Sequence, residues 1–128
     1  MVYSPYQKYQ QAQAQTASKP KLLIMLYDGA IRFTKAGIEG IESRHYDVAN
    51  NNLCKAQAII HELISSLNFD YEISKELLRL YEYFLHCLIQ SNIQKNSSLA
   101  HEVLGYLIEL RETWIEASRM SGVAGGAS

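Results

Sequence analysis

From Ser18 to Met120 the apolar residues recur in steps of three and four, the spacing of one face of an α-helix. No proline follows Pro20, so nothing in that stretch forbids helix by removing a backbone donor. In HYDVANNNLCKAQAIIHELISSLNF, Tyr46, Ala49, Leu53, Ala56, Ile60, Leu63 and Leu67 form an a/d seam. Asn50, Asn51, Lys55, Gln57, Glu62 and Ser65 are left for water. The next segment carries Ile73, Leu77, Leu80, Phe84 and Cys87 on one line, and the last carries Leu99, Val103, Leu107, Leu110 and Trp114. The first, KLLIMLYDGAIRFTKAGIEGIE, has a stripe of Leu23, Leu26, Ala30, Phe33 and Ile41.

The boundaries follow from local chemistry. Ser18 is the expected N-cap of the first helix, with Pro20 in its first turn, where the missing N–H costs little. Gly37 and Gly40 mark its expected end. The second helix is expected to begin near His45 with Asp47 in its first turn. The third follows Asn68 or Asp70. The fourth starts at Ser97 or Ser98 with Glu102 nearby, which suits the helix dipole. Four helices of about 20–25 residues, each about 30–37 Å long, joined by short turns, must run antiparallel to their neighbours. The expected fold is all-α, an antiparallel up-down-up-down four-helix bundle with an N-terminal capping segment. Residues 1–17 form that segment, 18–120 the bundle, and 121–128 a flexible glycine-rich tail.

Two helices carry more apolar surface than one core face needs. The first adds Leu22, Ile24, Met25, Tyr27, Ile31 and Ile38, and the third adds Leu78, Tyr81, Leu85, Leu88 and Ile89. Burying one such side chain is worth about 1.5–3 kcal/mol, and a set left in water makes a larger patch than a monomer normally shows. Something is expected to cover part of it. The N-terminus supplies one cover: YSPYQKYQQAQAQ puts Tyr3, Tyr6 and Tyr9 three residues apart in a stretch with almost no aliphatic residues. Such a segment can lie over an apolar groove with its phenol oxygens at the wet edge. It then either yields to a better ligand or stays packed as a short amphipathic helix.

Catalysis finds no support. A di-iron bundle needs two Glu-x-x-His motifs, and Glu42-x-x-His45, at a helix end, is the sole match. No metal and no cofactor is expected. A histidine phosphotransfer bundle using His61 is the alternative function. His61 has a small Ser65 nearby but no lysine on that turn. Cys54 and Cys87 lack any activating neighbour in sequence and read as buried structural thiols of a reduced, cytosolic protein. The formal charge of −1 gives no pull on nucleic acid or anionic lipid. The longest apolar run, Leu22 to Tyr27, is too short to insert in a membrane.

LLIMLYDGAIRF, from Leu22 to Phe33, resembles the signature of the FliS family of flagellar export chaperones for flagellin. KAQAIIHELISSLNF, LLRLYEYFLHCLIQSN and EVLGYLIELRETW follow in the family's order, and Tyr6, Tyr9 and Gln10 resemble its tyrosine-glutamine start. Two departures exist. The family often opens the first helix with Ser-Pro, where this chain has Ser18-Lys19-Pro20. Its second turn often contains glycine, where NFDYEISKE has none, so Asn68 or Asp70 is expected to serve instead. The resemblance implies a cytoplasmic bundle that binds the disordered C-terminal segment of flagellin, blocks premature polymerisation and keeps it competent for type III export. It also implies docking on the export gate and contact with regulators of flagellin or late flagellar genes. The spare stripes would equally serve a homodimer. A helical client needs anchors in an apolar groove, and ordering it takes a large contact area. On this reading Tyr6, Tyr9 and Gln10 belong to the gating segment. Ile24, Tyr27, Asp28 and Ile31 lie on the groove side of the first helix, and Leu78, Tyr81 and Leu85 are anchors on the third. Plain core packing serves each of these equally well. Tyr27 and Asp28 have a further use, fixing the N-terminal segment by hydrogen bonds.

Overall fold

A computed structural model describes residues 19–124. They form four helices: α1 Lys19–Glu42, α2 Tyr46–Ser65, α3 Ile73–Gln94 and α4 Ser98–Ala124. No strand occurs among the described residues. Each helix packs on two neighbours in a square, α1 on α2 and α4, α3 on α2 and α4. Glu42 at the C-terminus of α1 meets Ser97 and His101 at the start of α4, which fixes the antiparallel sense. Ser18 and the 1–17 capping segment lie outside the described residues, as does the tail beyond Ala124; α4 itself runs on through 121–124.

The core is the expected seam with some exchanges. Leu53, Ile60, Leu63, Phe84, Val103 and Leu107 are fully enclosed. So are Tyr27, Tyr81 and Leu88, and Ile38 is buried with them. In the apolar pattern all four stand beside the core lines. Conversely Tyr46 and Ile73, assigned to the seam, are 43% and 55% exposed. They sit in the first turn of α2 and of α3; Lys95 Nζ lies 5.7 Å from the Tyr46 ring centroid, and Ile73 stands at the open end of the bundle, where it lines a cavity.

Gly37 and Gly40 do not end α1. They lie inside it, and a Cβ on Gly40 would stand 2.7 Å from the Ala49 backbone nitrogen and 3.0 Å from its Cβ. A Cβ on Gly37 would stand 2.5 Å from Leu53 Cδ2. The glycines let α1 and α2 approach backbone to side chain, and this is the most intimate helix pair in the molecule. The helix ends instead at Glu42, and Arg44 in the turn beyond it takes a left-handed φ of 61°. The turn is closed by the Arg44 N–H on the Ile41 carbonyl at 3.1 Å and the His45 N–H on the Gly40 carbonyl at 2.8 Å.

The other two connections rest on small polar side chains. Asn68 does the work expected of a glycine without leaving ordinary backbone. Its Oδ1 accepts from the Asp70 N–H at 2.9 Å, and its carbonyl accepts from the Ser74 hydroxyl at 2.6 Å. The α3–α4 turn uses Lys95 at φ 51°. There Ser91 Oγ accepts from the Ala100 N–H at 2.8 Å, and Asn96 Oδ1 from the Ser98 N–H at 2.9 Å. These satisfy two of the N–H groups that the start of α4 leaves without helical partners.

Candidate functional site

The seam of α4 runs Val103, Leu107, Leu110, Trp114 and then reaches Ala117 and Ser118. A bundle core needs a large apolar residue at that level, and these two are small. The core line of α3 likewise begins at the small Ser74. The space is left open as a cavity of about 660 Å³ at the end of the bundle away from the α3–α4 turn. Leu22, Leu23 and Leu26 of α1 form one wall, and Leu77 and Tyr81 of α3 another. Leu67, Tyr71 and Ile73 of the α2–α3 connection and its flank close the end, and Trp114, Ala117 and Ser118 of α4 complete the lining. The rim is polar, with Lys19, Ser66, Asn68 and Ser74. The volume lies within the range of pockets that hold apolar ligands with a few convergent polar groups. Next to it in the chain, Phe69 is 53% exposed, Tyr71 65% and Ile73 55%, so apolar surface continues outward over the connection.

The residues read from the sequence as site residues divide into five groups. Tyr81 lines the cavity. Tyr27 is fully buried and shares a hydrogen bond with Tyr81, oxygen to oxygen at 2.5 Å, so a phenol from α1 meets one from α3 across the core. Asp28 accepts from the Arg111 guanidinium of α4 in a half-exposed ion pair. Ile24, Ile31, Leu78 and Leu85 are half-buried and do not line the cavity; Ile31 and Leu85 pack against the core cluster. Tyr6, Tyr9 and Gln10 lie outside the described residues.

Burial pushes the phenols of Tyr27 and Tyr81 above the ordinary tyrosine range, so both stay neutral donors at physiological pH. The sign is that of a raised acid: the stability they contribute is full below about pH 10 and is lost as pH rises beyond it, where the unfolded chain ionises first. The Trp114 indole N–H is buried and has no hydrogen-bond partner among the described residues.

Tyr81 apart, the groove residues are absent from the sequence reading of the site, among them Leu22, Leu23, Leu26, Leu77 and Trp114. Four of them, Leu23, Leu26, Leu77 and Trp114, were assigned to the core lines, and the assignment is also right: Leu26 and Leu77 are buried and Leu23 and Trp114 pack against the core cluster. Groove and core are one seam. The usable signal was the run of small residues, Ala117-Ser118, where α4 keeps its period and loses its bulk.

Among the described residues no three His, Cys, Asp or Glu side chains come together as a metal site. Glu42 turns away from the Glu-x-x-His reading; its Oε2 accepts from Ser97 Oγ at 3.0 Å and lies 3.0 Å from His101 Nε2. Cys87 is buried and burial raises its thiol pKa. Cys54 is exposed, against the expectation of two buried thiols, because it falls one residue off the α2 seam at Leu53. No described helix is long and apolar enough to cross a membrane.

Comparison with known proteins agrees with this architecture. Residues 2–121 match the family described as flagellar protein FliS. The flagellar secretion chaperone FliS of Bacillus subtilis is 36% identical over 116 residues, which span 91% of this chain and 87% of that protein. The flagellar secretion chaperone FliS of Campylobacter jejuni is 34% identical over 126 residues, spanning 93% of this chain and 94% of that one. That of Vibrio cholerae is 28% identical over 105 residues, spanning 80% and 77%. With the family matched across nearly its whole length, and with the four expected helices in place, the chain belongs to the FliS family of flagellar secretion chaperones.

Proposed function

We propose that this protein holds the C-terminal segment of flagellin in the cytoplasm, keeps it from polymerising early and delivers it to the export apparatus. The observation that carries the reading is the open end of the bundle: about 660 Å³ of mostly apolar lining where the helical seam runs out of bulk. An amphipathic client helix finds there what it needs, large side chains on rigid helices and a polar rim. The chaperone family supports binding rather than catalysis. Residues 1–17 serve as a capping segment. Lys19 and Pro20 of α1 line the groove, and Tyr6, Tyr9 and Gln10 are assigned to its cover in this proposal. Displacement of that segment by flagellin, docking on an export gate component, contact with regulators of flagellar gene expression and self-association belong to the same proposal.

Co-purification tests it. Full-length flagellin is expected to copurify with this chain, and flagellin lacking its C-terminal segment is not. Equal recovery of the two would place the contact elsewhere on flagellin and remove the reading. A titration with a synthetic C-terminal peptide, with and without residues 1–17 of the chaperone, reads the cap: its removal should tighten binding.

A further inference from the structure

Among the described residues that line the groove, Lys19 alone carries a charge. It is exposed, at the rim on the α1 side, and the first turn of α1 holds no acidic residue. No described carboxylate forms an ion pair with it. Asp28 and Glu112 go to Arg111, Glu116 to Arg119, and Glu42 to His101. The chain before it brings no counter-charge either, because residues 1–18 contain no Asp and no Glu. On the other flank of the mouth the signs reverse. Along the α2–α3 connection Asp70 and Glu72 alternate with Tyr71 and Ile73, and only the two apolar residues line the groove. The mouth is therefore positive at α1 and acidic along the connection, with apolar surface between.

A lysine at such a rim lays its stem on apolar surface and keeps its ammonium in water. An occupant of the groove displaces part of that water. A neutral apolar occupant gives the ammonium nothing in exchange. A carboxylate does, and the attraction strengthens as the surroundings become less polar. Such a preference is local. The whole chain has a formal charge of −1 and does not attract anions as a body.

We propose that the segment bound in the groove presents a carboxylate to Lys19, and that this contact fixes which way the segment lies across the mouth. The carboxylate is drawn to α1 and repelled by Asp70 and Glu72, while the apolar side of the segment covers Tyr71 and Ile73, which are 65% and 55% exposed. The inference rests on the reading that the groove takes the flagellin segment, and it names the chemistry which that segment must carry. The carboxylate belongs either to an Asp or Glu side chain or to the end of the client chain. Residues 1–18 have no acidic side chain to offer, so an exchange of cover for client gains a contact that the cover cannot make.

Two small ligands test the charge preference without flagellin. Octanoate and octanamide share one chain and nearly one shape, and only octanoate is charged at neutral pH. Trp114 lines the groove and is the only tryptophan, so its fluorescence reports binding there. The affinity ratio of acid to amide is measured on the full chain for the wild type, for Lys19→Met and for Lys75→Met. Methionine keeps an apolar stem and removes the charge. Lys75 is exposed in the first turn of α3 and does not line the groove, so its variant changes net charge equally. The ratio should fall about two- to fivefold in Lys19→Met and stay as in the wild type in Lys75→Met. A ratio unchanged in Lys19→Met, an equal fall in both variants, or no binding of either ligand to the wild type overturns the inference. Both sites are exposed, and thermal unfolding midpoints equal to wild type confirm that the variants fold.

A flagellin C-terminal peptide forms the second arm. Its terminal carboxylate is amidated, and each Asp and Glu is replaced in turn by Asn or Gln. One change should weaken binding to the wild type and have no effect on Lys19→Met, and its position identifies the carboxylate. A peptide that binds the wild type with every carboxylate dispensable overturns the inference and leaves the flagellin reading standing. If the peptide fails to bind while the octanoate ratio behaves as stated, the flagellin reading falls and the carboxylate preference of the groove stands.

Discussion

The two ends of this bundle are built from the same periodic seam, and they finish differently. At the α1–α2 and α3–α4 turns the helices close. Gly37 and Gly40 bring α1 against Ala49 and Leu53, Ser91 caps the start of α4, and Glu42 ties α1 to Ser97 and His101. At the opposite end Ser74, Ala117 and Ser118 stand where bulk is needed, and a cavity of about 660 Å³ opens among leucines and aromatics. Small residues act at both ends with opposite results. Gly40 faces the small Ala49 and Gly37 receives the Leu53 side chain, so α1 and α2 approach and the space disappears. At the other end the facing leucines and aromatics do not fill the room that Ser74, Ala117 and Ser118 leave, and the space persists. Residue size alone decides neither outcome; what stands opposite decides it.

Gly40→Ala is the strongest way to break the closed end. The new methyl meets the Ala49 backbone, which cannot turn aside as a side chain can. Overpacking costs about 1–3 kcal/mol, against about 1 kcal/mol gained in helix propensity. Because the clash is with backbone, urea unfolding is expected to show a net loss of about 2 kcal/mol. A variant as stable as wild type would mean that α1 and α2 slide apart freely, and the contrast between the ends would weaken.

Ser118→Leu probes the open end in the opposite sense. A leucine pointing into the groove buries apolar surface that is now exposed, and the fold should gain about 1–2 kcal/mol. Flagellin peptide binding should fall in the same variant, since the client and the new side chain compete for one space. Stability gained with binding intact would separate the cavity from the binding surface.

Between the ends, Thr34 is buried in α1 with its hydroxyl unpartnered. Thr34→Val keeps the shape and removes the orphan group, so it should stabilise by about 1 kcal/mol and leave peptide affinity unchanged. A loss of stability would indicate that the hydroxyl is satisfied in solution.

The smallest effect belongs to acid. The hydrogen bond from His101 and that from Ser97 hold the Glu42 carboxyl below its usual range. A depressed carboxyl contributes stability that is full above its unfolded pKa and is lost as pH falls through its folded one. Glu42→Gln should therefore flatten a slight decline in stability below the carboxylate range, seen in midpoints of thermal unfolding. A slope unchanged in the variant would show that this exposed contact contributes nothing measurable.

Much of this was readable from the chain. The step-of-three-and-four pattern carried the four helices, because a helix needs only local spacing to declare its buried face. The α2 start at Tyr46 and the α4 start at Ser98 fell where His45, Asp47 and Ser97 pointed. Which of two adjacent stripes goes inside was less legible. Tyr27 and Tyr81 looked spare and are fully enclosed, because each phenol found the other across the bundle and a buried hydroxyl needs such a partner. Ile73 continues the core line of α3 and is exposed because it lies in the first turn, at the open end of the bundle. The glycines of α1 read as a terminator, since local rules know glycine as a helix breaker; the partner residues Ala49 and Leu53 that make it a contact point lie on another helix.

By itself, then, the order of residues determined four amphipathic helices, their sequence and their antiparallel run, for these follow from spacing along one chain. Only the tertiary structure decided that Leu23, Leu26, Leu77 and Trp114 would be core on one side and groove on the other. A cavity is a property of what several helices fail to fill together, and no single segment records that failure.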